Sequence, residues 1–334
     1  MQKILALLLA LTLCCFAGCG GQTAEPEATA PTEPEEKTLI GILLPDDSWK
    51  EKGAALDKAL QEKGYATKLL YAQNDPVTQM SQIEQLQAQD AQCMILAAED
   101  AMALASVLET VQVPVSAYDR LLTDTERVDV FVGFDYEAMG QQIGRYIREE
   151  KALQDAALEG DSYTIEFFMG AAEDNSARLF HKGVLSVLQP YLDSGVLVCN
   201  SGRTTFADTY VNNGLSERKC EDILLKDYTD APPDIICAGS DLLARGCVKA
   251  LEKQTYEDAP WPLITGQGGD EDSVTADRLA VTVKKDYDRL AEACAKTADA
   301  LLKGKKPNYN GKVDNYVIEV PAVTVAVSLA EADA

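Results

Sequence analysis

The sequence predicts an α/β fold with two lobes, each built on a doubly wound parallel sheet that carries helices on both faces. From Thr38 onward, short apolar runs alternate with segments of helical spacing, and this alternation predicts parallel strands joined by helices. It continues through two successive series. About 297 residues follow Lys37, more than one hydrophobic core usually holds, which indicates two lobes. Apolar residues make up 46% of the chain, enough for a packed core.

The N-terminus predicts export and attachment to a membrane. Lys3 precedes an apolar run that is too short to span a bilayer, so we assign residues 1–18 to a signal peptide. "FAGC" at 16–19 resembles the lipobox of bacterial lipoproteins, with Phe16 where leucine is usual. The resemblance implies cleavage before Cys19 and a lipid on its sulfur. Plain secretion is the alternative.

A polar tether follows the cysteine. Residues 20–37 hold five Glu and three Pro and no apolar residue larger than alanine, so residues 19–37 are expected to be disordered and extended. We therefore expect an extracytoplasmic domain held by lipid at the outer face of the cytoplasmic membrane. The formal net charge of −24 argues against nucleic acid or anionic headgroups as partners.

The first series has four predicted strands and three predicted helices. The strands are "TLIGILLP", "ATKLLY", "QCMILAA" and "VPVSAYD". The helices cover 49–63, the segment "DPVTQMSQIEQLQAQD" and about 100–111. Asp75 can cap the second helix and Pro76 suits its first position, while Gly64 ends the first helix.

The second series is longer. Its predicted strands are "VDVFVGFD", "YTIEFFMG", "GVLVCN", "DIICAG", "WPLITG" and "AVTVK". Its predicted helices cover 136–150, the segment "NSARLFHKGVLSVLQPYL", 208–225, 241–255 and 286–303, and an apolar tail "YVIEVPAVTVAV" comes last.

Polar side chains follow most of the predicted strands. Ligands of doubly wound sheets bind beyond the carboxyl ends of the strands, so these side chains are candidate ligand-binding residues. The candidates are Trp49, Asp119, Arg120, Asp174, Asn175, Ser176, Arg203, Phe206, Ser240, Asp241, Gln267, Asp270 and Lys285. Carboxylates, amides and guanidinium groups suit the paired hydroxyls of a sugar, and aromatic rings suit its C–H face. Each Asp, Asn or Ser could instead simply cap the next helix.

Several of these segments resemble type I periplasmic binding proteins, in particular the xylose and multiple-sugar group of ABC transporter receptors. The segments are "NDPVTQMSQIEQL", "AYDR", "FFMGAAEDNSARLF", "QPYLDSGV", "GSD", "TGQ" and "TVKKD", within roughly residues 38–305. The resemblance implies two lobes joined by a three-segment hinge, with a monosaccharide bound between them. It divides the chain into one lobe of 38–133 plus 283–310 and another of 134–282 plus 311–334.

The resemblance also assigns roles to individual residues. Trp49 stands where the family has an aromatic residue, Asp119 and Arg120 match its "YDR" fork, and Lys285 matches a lysine after a strand. Residues 174–176 stand where the family has Asp-Asn-Asn.

Other positions depart from the family pattern. Ser240 and Asp241 replace Asn-Asp, and Ser48 replaces an arginine. Gly268 stands where a sugar-binding carboxylate is expected, although Asp270 is near. Arg203 and Phe206 lie in the loop that carries a stacking tryptophan in the family. These departures imply a ligand other than xylose, or a weaker affinity for it.

The expected function is therefore a monomeric transport receptor that captures a xylose-like pentose or related sugar and delivers it to an ABC permease. An alternative is a sugar-sensing partner of a membrane histidine kinase. An exported carbohydrate hydrolase is the weaker alternative, with Asp119 and Asp174 as its two carboxylates. We expect no catalysis, no cofactor and no metal, and we expect His181 to be a surface or interlobe residue.

The cysteines leave two interpretations open. Six cysteines follow Cys19, and an even number in an exported chain permits disulfides. Cys93 and Cys237 lie in apolar runs, however, which favours mostly free, buried thiols.

Overall fold

The computed structural model describes residues 37–122, 125–172, 174–212, 214–256, 259–269, 274, 278–307, 317–320 and 323–326. The predicted signal peptide, the lipidated Cys19, almost all of the tether and the candidate Asp270 lie outside the described residues. No helix in the described part of the chain has the length and apolar character that a membrane span requires.

The first lobe is built on a six-stranded sheet. Its strands are β1 (Leu39–Leu44), β2 (Ala66–Tyr71), β3 (Cys93–Leu96), β4 (Val115–Tyr118), β5 (Val130–Phe134) and β11 (Val317–Val320). They lie in the order β11-β5-β4-β3-β1-β2, and every neighbouring pair is parallel. Because β1 lies between β2 and β3, the chain changes direction across the sheet at the β1–β3 junction, where such sheets bind ligands.

Four helices belong to the first lobe. They are α1 (Lys50–Gln61), α2 (Pro76–Ala88), α3 (Ala101–Leu108) and α10 (Tyr287–Leu302), and a short 3₁₀ turn at Asp47–Trp49 precedes α1. The predicted start of α2 is confirmed, since the Asp75 carboxylate accepts hydrogen bonds from the backbone N–H groups of Val77 and Thr78. The hydroxyl of Tyr65, which precedes β2, donates to Asp299 of α10 at 2.7 Å, so α10 packs on this lobe.

The second lobe repeats the same plan. Its strands are β6 (Tyr163–Phe168), β7 (Leu197–Val198), β8 (Ile235–Ala238), β9 (Leu263–Thr265), β10 (Val281–Lys284) and β12 (Val323–Ala326). The order is β12-β10-β9-β8-β6-β7, with only the β10–β12 pair antiparallel. Its helices are α4 (Tyr136–Glu150), α5 (Leu153–Glu159), α6 (Asn175–Asp193), α7 (Phe206–Thr209), α8 (Ser216–Asp227) and α9 (Asp241–Glu252). The predicted fold class of two parallel α/β lobes is confirmed.

Three predicted elements differ from the structure. The helix expected over 208–225 is two helices, α7 and α8, because the chain between them makes a turn with Gly214 at φ +85°. The backbone N–H of Val211 bonds to the carbonyl of Met169, which holds this turn against the end of β6. The strand expected at "GVLVCN" is reduced to Leu197–Val198, and α5 lies in a stretch to which no element was assigned.

The chain passes between the two sheets three times. The crossings follow β5, β10 and β11, where the chain continues into α4, α10 and β12. This corrects the placement of 311–334 in the second lobe, because Val317–Val320 pairs with β5 of the first sheet. It also moves the second crossing beyond Lys284, which still belongs to β10 of the second sheet. The tail therefore contributes one strand to each lobe.

The six described cysteines are free, and all except the half-buried Cys199 are buried. Burial raises the pKa of Cys93 and of Cys237 to about 12, and it also raises the pKa of Cys199. Only the thiolate attacks a disulfide reagent. In a protein of residues 20–334, which lacks Cys14, Cys15 and Cys19, we expect at most one thiol of the folded state, Cys199, to react rapidly with Ellman's reagent at about pH 8. All six should react after unfolding in guanidinium; a smaller number would indicate disulfides, and several fast thiols in the folded protein would contradict their burial.

Candidate functional site

Asp119 connects the end of β4 to two of the three crossings. It has a left-handed backbone at φ +59° and is only 7% exposed. Its two carboxylate oxygens accept hydrogen bonds from the hydroxyls of Tyr136 at 2.7 Å and Tyr287 at 2.8 Å. Tyr136 is the first residue of α4 and Tyr287 the first residue of α10, and each directly follows a crossing. One buried carboxylate therefore ties both crossings to the strand end that precedes Arg120.

The two tyrosines are held as hydrogen-bond donors. Burial, together with the negative charge of Asp119, raises the pKa of Tyr136 and of Tyr287 far above the usual value near 10. Both hydroxyls remain protonated at any physiological pH. The network is extended by Lys285, whose ammonium lies 3.2 Å from the hydroxyl of Tyr136.

Arg120 and Trp49 lie beside this network, at the ends of β4 and β1. The Arg120 guanidinium carbon is 5.2 Å from the centre of the Trp49 ring, and Nη1 donates to the carbonyl of Ala98 at 2.8 Å. Nη1 also lies 3.7 Å from the carboxylate of Glu99. The side chain of Arg120 is 44% exposed. Within the part of the chain that the structure describes, Nε and Nη2 have no hydrogen-bond partner, so their donors can face a ligand beside an aromatic ring.

The loop that partners Arg120 is itself held by a buried glutamine. Gln79 of α2 donates to the carbonyl of Ala97 at 2.9 Å and accepts from the backbone N–H of Glu99 at 2.8 Å. Gln79 is fully buried. It thereby fixes the carbonyl of Ala98 and the carboxylate of Glu99 in front of Arg120.

The second lobe contributes Asp174 and the start of α6. Asp174 is exposed and caps α6, accepting from the backbone N–H of Ser176 at 2.9 Å. Its charge acts on Tyr136 and raises that residue's pKa further, after burial and the effects of Asp119 and Tyr287. Asp174 is therefore close to the crossing network, and Asn175 and Ser176 follow it as half-buried residues of the first turn.

Gln267, Ser240 and Asp241 lie together at the ends of β8 and β9. The side-chain amide of Gln267 donates to the carbonyl of Gly239 at 3.3 Å, which joins the two strand ends. Ser240 caps α9 by accepting from the N–H of Leu243 at 3.2 Å. Asp241 is turned inward, where its carboxylate accepts the hydroxyl of Thr282 at 2.8 Å. Of these three residues, Gln267 is the candidate for binding a ligand, because its Oε1 has no hydrogen bond among the described residues.

Arg203 and Phe206 are not brought into the strand-end cluster by any contact among the described residues. Arg203 donates from Nε to the carbonyl of Asp208 at 2.7 Å, and burial lowers its pKa although the charge of Glu166 opposes this. Phe206 packs on His181 at 5.9 Å between ring centres and lies beneath Arg178 at 4.9 Å. The expectation that His181 is a surface or interlobe residue is wrong, because it is 4% exposed and its ring packs on Phe167 and Phe206 of the second lobe.

Tyr136, Tyr287, Lys52 and Glu99 are members of the cluster that the sequence analysis did not select. Both tyrosines follow predicted strands by one to three residues, so the same strand-end criterion covers them. Glu99 follows the third strand, whose end was not considered. Lys52 lies one helical turn after Trp49, and no residue pattern distinguishes it from a solvated lysine.

Replacing Tyr136 or Tyr287 with phenylalanine should destabilise the protein. Each change removes one hydroxyl donor from a buried carboxylate, which costs about 1–3 kcal/mol. Urea unfolding followed by circular dichroism measures the loss. Tyr210→Phe is the matched control, because Tyr210 is 45% exposed, and its change should stay within about 0.5 kcal/mol. Equal stabilities of the three variants would show that Asp119 does not depend on these hydroxyls.

Two parallel α/β lobes, three crossings and polar strand ends around those crossings define a two-lobed solute-binding protein. A family model described as a periplasmic binding protein domain matches residues 40–306, and the chain belongs to this family. The multiple sugar-binding periplasmic protein SbpA of Azospirillum brasilense is 32% identical over 309 residues, covering 88% of this chain and 86% of SbpA. The D-xylose-binding periplasmic protein of Escherichia coli is 26% identical over 299 residues, covering 86% and 84%.

Solved structures give the same result. An ABC transporter solute-binding protein of Clostridium phytofermentans with bound β-D-glucose has a TM-score of 0.77 at 29% identity, covering 86% of this chain and 94% of that one. A carbohydrate transporter solute-binding protein of Chloroflexus aurantiacus, in complex with D-glucose, has a TM-score of 0.72 at 28% identity, with coverage of 86% and 92%. The chain is a binding protein of the xylose and multiple-sugar group, not an enzyme.

Proposed function

We propose that this protein is a lipid-anchored receptor that binds a monosaccharide between its two lobes and delivers it to the permease of an ABC transporter. The carrying observation is the cluster of Trp49, Asp119, Arg120 and Lys285, in which an aromatic ring lies beside donors at converging strand ends. A sugar is suited to it, because its hydroxyls accept from guanidinium and ammonium groups and its C–H face packs on rings. The ligands of the related proteins, which are multiple sugars, D-xylose and glucose, support this class.

A hinge built on three crossings suits a receptor. Closure of the two lobes on a ligand needs hinge segments whose backbone angles can change. Crossings that lie at the ends of helices and strands can serve as such segments. Because the Asp119 network holds two of these crossings and lies next to Arg120, a sugar that contacts Arg120 is positioned to act on the hinge. The closed form is then the state that the permease recognises.

A thermal-shift panel of pentoses and hexoses tests the proposal. A ligand that binds only the folded protein stabilises it by about 2.7 kcal/mol when its concentration is a hundredfold above Kd. At least one of xylose, glucose, galactose, arabinose or ribose, or one of the uronic acids included beside them, should raise the melting temperature. Sodium chloride and a disaccharide serve as controls. No shift with any monosaccharide would refute a sugar receptor of this class.

The anchor is tested separately. Cys19→Ser should release the protein from the membrane fraction, because the sulfur that would carry the lipid is lost. Cys14→Ser is the matched control, since it lies in the part that would be cleaved and should leave the protein in the membrane fraction. Equal membrane retention of the two variants would contradict lipidation at Cys19.

A further inference from the structure

Lys52 places its ammonium between two aromatic rings of the candidate site. Its Nζ lies 4.1 Å from the centre of the Trp49 ring and 4.5 Å from the centre of the Tyr287 ring. Among the described residues the ammonium has no hydrogen bond and no ion pair, and the side chain is partly buried. An ammonium has three N–H donors, so this one is placed to receive an acceptor from a ligand.

Two further cations lie around the same rings. Lys285 is 4.9 Å from the centre of the Tyr136 ring, and its hydrogen bond is to a neutral phenol, not a carboxylate. Arg120 is beside Trp49, and two of its three nitrogens have no hydrogen bond among the described residues. These three residues, Lys52, Arg120 and Lys285, are called the basic cluster below.

Three of the carboxylates near the basic cluster, those of Asp119, Asp46 and Asp174, accept hydrogen bonds from neutral groups. Both oxygens of Asp119 hold tyrosine hydroxyls. Asp46 accepts the backbone N–H of Ser48 at 2.6 Å, and Asp174 caps α6 in the same manner. Glu99 is the nearest acid to Arg120, at 3.7 Å, which is beyond a good hydrogen bond. Among the described residues, the three cations therefore make a single contact with a carboxylate, between Arg120 and Glu99, and that contact is longer than a good hydrogen bond.

The pKa of Lys52 is affected by burial and by charges of both signs. Burial lowers the pKa of Lys52, and the charges of Asp119 and Asp46 oppose that effect. Lys285 and Arg120 lower it further by repulsion between like charges. A chain of net charge −24 gives no general attraction for anions, so a preference for an anion has to come from this local cluster.

We propose that the preferred ligand is an acidic monosaccharide, a uronic or aldonic acid, whose carboxylate is bound by Lys52 with Lys285 and Arg120 beside it. The remaining hydroxyls take the neutral donors and acceptors of the site. An ionised acceptor makes shorter and stronger hydrogen bonds with ammonium and guanidinium groups than a hydroxyl does. This inference rests on the proposed function, because it names the substrate class of the same site.

Isothermal titration at about pH 7, where a sugar carboxylate is ionised, tests the inference on the purified protein. The matched pairs are glucose with glucuronate and galactose with galacturonate, and acetate serves as the anion without a sugar. We expect one acid to bind at least tenfold more tightly than its neutral partner, and acetate to bind far more weakly. If the neutral sugars bind as tightly as their acids, the inference is wrong, but the proposed function as a sugar receptor is still supported. Binding of neither class would refute the receptor itself, and acetate equal to the acids would show a simple anion site.

The Lys52→Met variant tests whether the preference for acidic sugars over neutral sugars depends on Lys52. The ratio of acid affinity to neutral affinity should fall at least fivefold, while Lys50→Met, an exposed lysine on the same helix, should keep the ratio of the unaltered protein. Lys52→Gln replaces the methionine variant if that one does not fold. An unchanged ratio in a folded Lys52 variant would overturn the assignment.

Discussion

Arg120→Ala is expected to weaken monosaccharide binding about 100-fold while leaving the protein folded. Two charge-assisted hydrogen bonds to sugar hydroxyls contribute about 3 kcal/mol together, which corresponds to about two powers of ten in Kd. Arg120 is suited to this role because Nη1 is anchored on the carbonyl of Ala98, so the planar group is already oriented beside Trp49. The loss should appear in titration calorimetry.

The matched control is Arg145→Ala. Arg145 is an exposed arginine of α4, about 13 Å along the helix from Tyr136, so its removal changes the net charge equally but not the site. Its affinity should stay within about twofold of the unaltered protein. Melting curves of both variants should coincide within a few degrees. An Arg120→Ala variant that binds as well as Arg145→Ala would remove Arg120 from the site.

Much of this site could be predicted because the parallel strands of each sheet end at the same edge of that sheet. Trp49, Asp119, Arg120 and Lys285 were selected because they follow strands and because they match positions of the resembled family, and the structure brings all four together around the crossings. The same reasoning is weaker where a strand is short or its loop is long. Arg203 follows the two-residue β7, and its side chain turns toward the carbonyl of Asp208 instead of toward the cluster.

Tertiary contacts decide what the sequence could not show. Asp119 was expected to bind the ligand directly, and in the structure both of its oxygens serve Tyr136 and Tyr287, which are 17 and 168 residues away along the chain. Its role as a ligand-binding residue remains a prediction, and its role in holding the crossings is visible in the contacts. The position of Lys52 between two rings likewise depends on α10, which begins 235 residues later.

The second lobe's share of the site depends on how closely α4 and α6 pack. α4 begins with the crossing residue Tyr136, and α6 begins after Asp174, so the distance between these helices sets the separation of the crossing network and Asp174. Two glycines allow the approach. A Cβ added at Gly140 would overlap the carbonyl oxygen of Phe180, and one added at Gly183 would overlap the carbonyl oxygen of Glu137.

Gly183→Val is therefore expected to lower the stability of the protein by about 3 kcal/mol, because the valine can be accommodated only if the helix backbones separate. In a folded chain of about 297 residues, this loss corresponds to a melting temperature lower by roughly 5 °C. Gln189→Val places the same residue on the exposed face of α6 and should cost less than about 1 kcal/mol. Since the backbones of both helices would move apart, any folded Gly183→Val protein should also bind its sugar more weakly than Gln189→Val does. If Gly183→Val has the same melting temperature as Gln189→Val, the backbones of α4 and α6 are not in close contact. The position of Asp174 relative to the crossing network would then depend on other contacts.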